Sequence, residues 1–192
     1  MIRHYLTVIC IGVLTSVCLS QDMPVPATEQ VPVILKVLSY DRNLRRHSGD
    51  KLVIGVVYQK SVRESEAVAD EFLKAFAAMS DPRVNGLSVS VVPIDISSGG
   101  DLQAILASRE VDALYLAPLV SEPVREISSI ARMSSITTLT GIPDYVERGC
   151  SVGVTARGGR VSLLINLAAC HAEGSRFDPQ LLRLAQTIDD GE

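Results

Sequence analysis

Leu52–Val57 reads "LVIGVV", six apolar residues in a row with β-branched side chains dominant. In a strand, successive side chains point to opposite faces. A run with no polar member therefore needs cover on both faces. A central parallel strand between two layers of helices meets that demand.

The rest of the chain supplies those layers. Residues 32–46 read as a first helix, with Pro32 in its first turn and Val33, Val37, Tyr40 and Leu44 at helical spacing. Gly49 is the expected stop. Ser61 to Met79 reads as a second helix, with Ser61 and Glu64 spaced as a capping box. Val68, Phe72, Ala75, Phe76 and Met79 share one of its faces. "LSVSVVPI" alternates, with Leu87, Val89 and Val91 on one side, as in a strand at or near an edge. A loop and helix follow in "SSGGDLQAILASRE", then a strand in "VDALYLAP". "SEPVREISSIARM" reads as a helix capped by Ser121, and "ITTLTGIP" as another strand. Strands alternating with helices imply right-handed parallel crossovers. The expectation is a single-domain, doubly wound α/β fold with a mainly parallel sheet.

The C-terminal part changes style. "SVGVTA" folds onto "RVSLLIN" through Gly158 and Gly159, a pair suited to a two-residue hairpin turn. That register sets Ala156 against Val161, Val154 against Leu163 and Val152 against Ile165 on one apolar face. A one-residue slip would destroy it. Asn166 ends the second strand, where its amide oxygen can cap the helix "LAACHA". Asp178 and Pro179 open a second short helix, with Leu181 and Leu182 supplying apolar surface.

Residues 1–20 have the pattern of a secretory leader: Arg3, an apolar stretch from Leu6 to Leu19, then small Ser20. Residues 21–31 read as a flexible lead-in, and 32–188 as the domain. Export would place the molecule in the periplasm, where disulfides are permitted. Cys150 and Cys170 are the two cysteines beyond the leader. A disulfide between them and two buried thiols are both open readings. The net charge of −4, without a basic stripe, argues against nucleic acid as a partner.

The segment "TLTGIPDYVERGCSVGVTARGGRVSLLINLAACHAEGSRFDPQLLRLAQTI" resembles the C-terminal signature of the YfiR-like family of secreted bacterial domains. The matching positions include Gly141, Pro143, Gly149, Gly158, Asn166, Leu167, Ala168, Ala169, Leu181, Leu182 and Ala185. "VPVILKVLSYDRNL" and "LVIGVVY" match more loosely, in the right order. The chain departs from the family in lacking the aromatic-rich end of the first helix and any Trp. The resemblance implies a periplasmic, non-enzymatic regulator. Such a regulator restrains the periplasmic part of an inner-membrane diguanylate cyclase, and so cyclic-di-GMP output. It also implies homodimerisation as an option.

Residue chemistry agrees with a non-catalytic role. His4 lies in the leader, His47 beside Arg46, and His171 beside Cys170, where adjacent helix positions do not face each other. Hydrolase, zinc-protease and nucleotide-loop motifs are missing, and no cofactor pattern is present. The alternative is a small-molecule-binding component of a sensor or transport system. In open α/β sheets ligands sit beyond the carboxyl ends of the strands. Here that crevice would include Tyr58, Lys60, Asp95, Pro118 and Thr140.

Overall fold

A computed structural model describes residues 22–44, 49–120 and 123–189. The expected leader, the last residues of the expected first helix and its Ser121 counterpart further on lie outside them. The elements, in chain order, are α1 (Ala27–Ser39), β1 (Lys51–Tyr58), α2 (Arg63–Ala77), β2 (Arg83–Val84) and β3 (Leu87–Asp95). Next come α3 (Leu102–Ser108), β4 (Ala113–Leu116), α4 (Val124–Ser134), β5 (Thr137–Thr140) and α5 (Pro143–Glu147). The chain continues with β6 (Val152–Arg157), β7 (Arg160–Asn166), α6 (Leu167–Ala172), α7 (Pro179–Leu182) and β8 (Gln186–Ile188).

The described strands form one sheet in the order β2-β3-β1-β4-β5-β6-β7-β8. β3, β1, β4, β5 and β6 are parallel neighbours, while β2 and β7 join antiparallel. β1 is central, as its composition demands. Leu52, Ile54 and Val56 face one core, with Ala113, Tyr115 and Phe72. Val53 and Val57 face the other, with Leu114, Leu116 and Ile127. Gly55 is a close approach: a Cβ there would come within 2.7 Å of Ile94 Cδ1 and 2.9 Å of Leu114 Cδ2.

β3 is exposed along most of its outer edge, because β2 covers only Leu87 and Ser88. Pro93 has no N–H to offer there, and its carbonyl accepts from Arg109 Nη1 at 2.7 Å. A proline without a donor and with a capped acceptor interrupts the edge as a template for another strand.

Several boundaries differ from the sequence expectation. α1 starts at Ala27, so Pro32 lies inside the helix on its exposed side. Val25, Ala27, Gln30 and Val31 are buried, so the described part of the expected flexible lead-in, residues 22–31, contributes to the core. The apolar period begins earlier than the proline suggested. α2 starts at Arg63, one residue later than the capping box requires, so the cap position falls on Val62, which has no capping side chain, and the Ser61 hydroxyl donates to Ser97 Oγ. The last expected helix is one turn, α7. The chain then becomes β8 beside β7, an exchange of local helix propensity for a strand partner.

The hairpin has the register read from the sequence: Ala156↔Val161, Val154↔Leu163 and Val152↔Ile165. Gly158 and Gly159 have φ of 57° and 73°, the pair of positive values a type I′ turn requires. Four of the six facing side chains are buried, but Ala156 and Val161 overrun the core and are exposed.

Candidate functional site

The carboxyl ends of the strands come first, because that is where a ligand crevice would open. The strand order reverses between β1 and β4. Gln59, directly after β1, closes this point: its Oε1 accepts from Val120 N at 2.8 Å. Tyr58 is partly buried, and its carbonyl accepts from Ile96 N. Asp95 Oδ1 accepts from Lys60 N at 3.1 Å and Ser97 N at 2.9 Å. The hydrogen bonds from Ser97, with that from Lys60, hold the Asp95 carboxyl below the usual carboxylate range. Pro118 is buried. Thr140 is also buried, donating to Leu116 O at 3.2 Å and accepting from Ile142 N at 3.1 Å. The structure thus brings Lys60 and Asp95 together but turns Pro118 and Thr140 into packing. The polar groups of this crevice tie loops to one another.

The N-terminal segment covers the neighbouring part. Gln30 is fully buried, donates to Val25 O at 2.6 Å and accepts from the Tyr115 hydroxyl at 3.0 Å. It lies flat on Gly141, where a Cβ would sit 2.2 Å from Gln30 Nε2. A hollow remains between α3 and α4, lined by Asp95, Leu102, Ile105, Glu126 and Ile127. Its volume is about 190 Å³, below the roughly 300 Å³ at which small-molecule pockets begin.

The most heavily tied polar cluster lies elsewhere. Glu173 follows α6 and is 1% exposed. Its Oε2 accepts from Thr138 N at 2.8 Å and from the Ser151 hydroxyl, and its Oε1 accepts from Thr138 Oγ1 at 2.6 Å. Ser151 N in turn donates to Thr138 Oγ1 at 2.8 Å. β5 and β6 pair only through Leu139–Val152 and Thr140–Gly153. The carboxylate therefore fills the place where the ladder stops and satisfies a Thr138 N–H that has no strand partner there. Burial pushes the Glu173 carboxyl up to about 7, against the opposing hydrogen bonds from Ser151 and Thr138. Sequence reading missed this residue. Its partners lie 35 and 22 positions away, and no local pattern announces them.

Cys150 and Cys170 are free and buried. They belong to cores on opposite faces of the sheet, Cys150 with Ile127 and Tyr145, and Cys170 with Ile165 and Phe177. The Cys150 sulfur is 3.8 Å from Ser128 Oγ, and Cys170 Sγ points to Ser151 O at 3.7 Å. The open disulfide reading is therefore corrected to two thiols. Burial pushes both up to about 12, so neither is a thiolate nucleophile at neutral pH. His171 is exposed while Cys170 is buried, so the two form no dyad. The Ser151 hydroxyl and the Glu173 carboxylate do meet, but both are sealed in the interior.

Asn166 sits on the floor between α5 and α6. Its Oδ1 accepts from Ala169 N at 2.9 Å, capping α6, and its Nδ2 donates to Val146 O at 3.1 Å. Leu181 is buried and Leu182 partly so. Among the described residues, no helix is long and apolar enough to cross a membrane.

The sequence matches the profile described as DUF4154, YfiR/HmsC-like, over residues 39–186. The chain belongs to the YfiR/HmsC-like family. No curated protein matches it. As a fold, this YfiR/HmsC-like chain is similar to a Streptococcus pneumonia ABC domain solved in complex with L-Trp. The TM-score is 0.56 at 17% identity, over 85% of this chain and 60% of that one. It is similar too to a conserved domain protein from Vibrio cholerae O1 biovar El Tor, with TM-score 0.57 and 16% identity over 84% and 60%. A third is the ligand-free, open form of a substrate-binding protein with adhesive properties from Clostridium difficile. There the TM-score is 0.52 and the identity 19%, over 80% of this chain and 59% of that one. The chain spans about 60% of the length of these structures. What they share with the YfiR/HmsC-like chain is the α/β architecture.

Proposed function

We propose that the protein is a periplasmic regulator that acts by binding another envelope protein, without turnover of a substrate. The family match across residues 39–186 carries this reading. The site chemistry supports it: the strand ends are stitched by Gln59 and Asp95, and the thiols and Glu173 are withdrawn from the surface. The partner we propose is a membrane diguanylate cyclase, held in its inactive state by preferential binding to that state. Export through residues 1–20 belongs to the same proposal, as does a homodimeric form of the regulator. Deletion of the gene is expected to raise cellular cyclic-di-GMP. A level unchanged across several growth conditions would count decisively against cyclase control.

A second reading has one observation in its favour. The similar structures include one solved with L-Trp and one substrate-binding protein. Under that reading the protein is a small-molecule-binding component of a sensor or transport system. A thermal-shift panel of metabolites that includes L-Trp separates the two. Saturable stabilisation supports a ligand, and a flat panel leaves the protein-binding reading.

A further inference from the structure

We infer that the hollow between α4, α5 and α6 is the docking site for an acidic segment of the protein partner. This rests on the regulator reading above and adds where the partner sits and what chemistry it presents. The hollow has a volume of about 430 Å³ and is lined by Arg125, Arg132 and Arg148 beside Gly149, Ala168 and Ala169. Beside the arginines, its wall at those last three positions offers no side chain longer than a methyl. A peptide backbone can approach it closely.

Two of the arginines are held in place before anything binds. Arg132 Nη2 donates to Gly149 O at 3.3 Å. Gly149 has φ +112°, and a Cβ there would sit 2.7 Å from Arg132 Nη2, so glycine is what admits the guanidinium. Arg148 is paired with Asp144 at 2.8 Å. Arg125 is exposed and has no ion-pair partner among the described residues. Glu147 also lines the hollow, yet three guanidinium groups outnumber it and Asp144. This positive concavity sits on a chain whose net charge is −4. A guanidinium fork matches a carboxylate bidentately, and groups held beforehand lose less freedom on binding.

The spacing narrows the occupant. Arg125 and Arg132 stand two helical turns apart, about 10 Å along the axis. Carboxylates that share one face of an extended chain recur every second residue, about 7 Å apart, so an acidic run offers one within reach of each arginine. Two anchor points two turns apart suit an acidic segment, which can engage both along its length.

The test uses the full mature chain and two probes, a fluorescein-labelled hexa-aspartate peptide and its hexa-asparagine counterpart. Hexa-aspartate is expected to bind roughly tenfold or more tightly than hexa-asparagine at low salt, and to weaken as salt rises. Arg125→Glu is expected to abolish the difference while leaving the thermal midpoint unchanged. Equal binding of the two peptides, or an undiminished preference in the variant, overturns the inference. In cells, a photo-crosslinking amino acid replaces the exposed Ser129, between the two arginines on α4, or the exposed Ser108 on α3. A membrane-protein adduct from position 129 alone, lost in Arg125→Glu, is the expected result. An adduct from position 108 that ignores Arg125→Glu overturns the docking site and leaves the regulator reading standing. No adduct from either position overturns the docking site. If cyclic-di-GMP is also unaffected by gene deletion, the regulator reading falls with it.

Discussion

Replacing Glu173 with Gln should change how stability depends on pH, in the direction opposite to most carboxylates. The side chain is 1% exposed and accepts from Thr138 N, Thr138 Oγ1 and Ser151 Oγ. Its carboxyl titrates near 7 in the folded protein against 4.5 when unperturbed. Because the folded value is the higher one, the folded state holds a proton that the unfolded state has already released. The group's contribution is complete below about 4.5 and is lost as pH rises through about 7. The difference of about 2.5 units corresponds to about 3 kcal/mol, at 1.36 kcal/mol per unit. Urea unfolding between pH 4 and 8 reads it directly. The gap between wild type and Glu173→Gln should shrink by about 3 kcal/mol over that range as wild type loses its advantage. Comparing pH slopes removes the fixed cost of fitting an amide among these donors. Parallel pH profiles for the two proteins would refute the reasoning.

Three further outcomes are expected. Gly141→Ala should destabilise by about 1–3 kcal/mol, because the new methyl meets the buried Gln30 amide; an unchanged urea midpoint would show that α1 is not seated there. Asn166→Ala should cost about 2 kcal/mol, from the lost α6 cap and the lost amide hydrogen bond to the Val146 carbonyl, which keeps Gly149 N as its other donor, whereas Asn166→Asp should recover the capping part in the same assay. Cys150 and Cys170 should resist a thiol reagent at pH 8 until denaturant is added, as mass spectrometry can follow; rapid native labelling, or a two-proton mass deficit without reductant, would show a different arrangement.

Strong local signals were readable before the structure. The run Leu52–Val57 required cover on both sides, and the hairpin register followed from Gly158-Gly159 with three facing apolar pairs. Asn166 could be placed as a cap because it stands where a strand period becomes a helix period. The features that escaped depend on partners distant in sequence. Gln30 is interpretable only beside Gly141, and Glu173 only beside Thr138 and Ser151. β2 and β8, of two and three residues, carry too little periodicity to be seen without their neighbours. Ser61 offered a plausible capping box, but the helix begins at Arg63 and leaves Val62 at the cap position. The three facing pairs of the hairpin share one apolar face. Its outer pair, Ala156 and Val161, shows that an apolar pattern identifies a face without fixing how far the core extends along it.

The margin formed by β3 bears on life at high local concentration. With Pro93 offering no amide hydrogen and Arg109 occupying its carbonyl, a strand added along that side meets a break in its ladder at this residue. Fibrous stacking from this border is therefore disfavoured under crowding. Self-association through side-chain surfaces is the alternative, and a point substitution can disrupt it without unravelling the sheet.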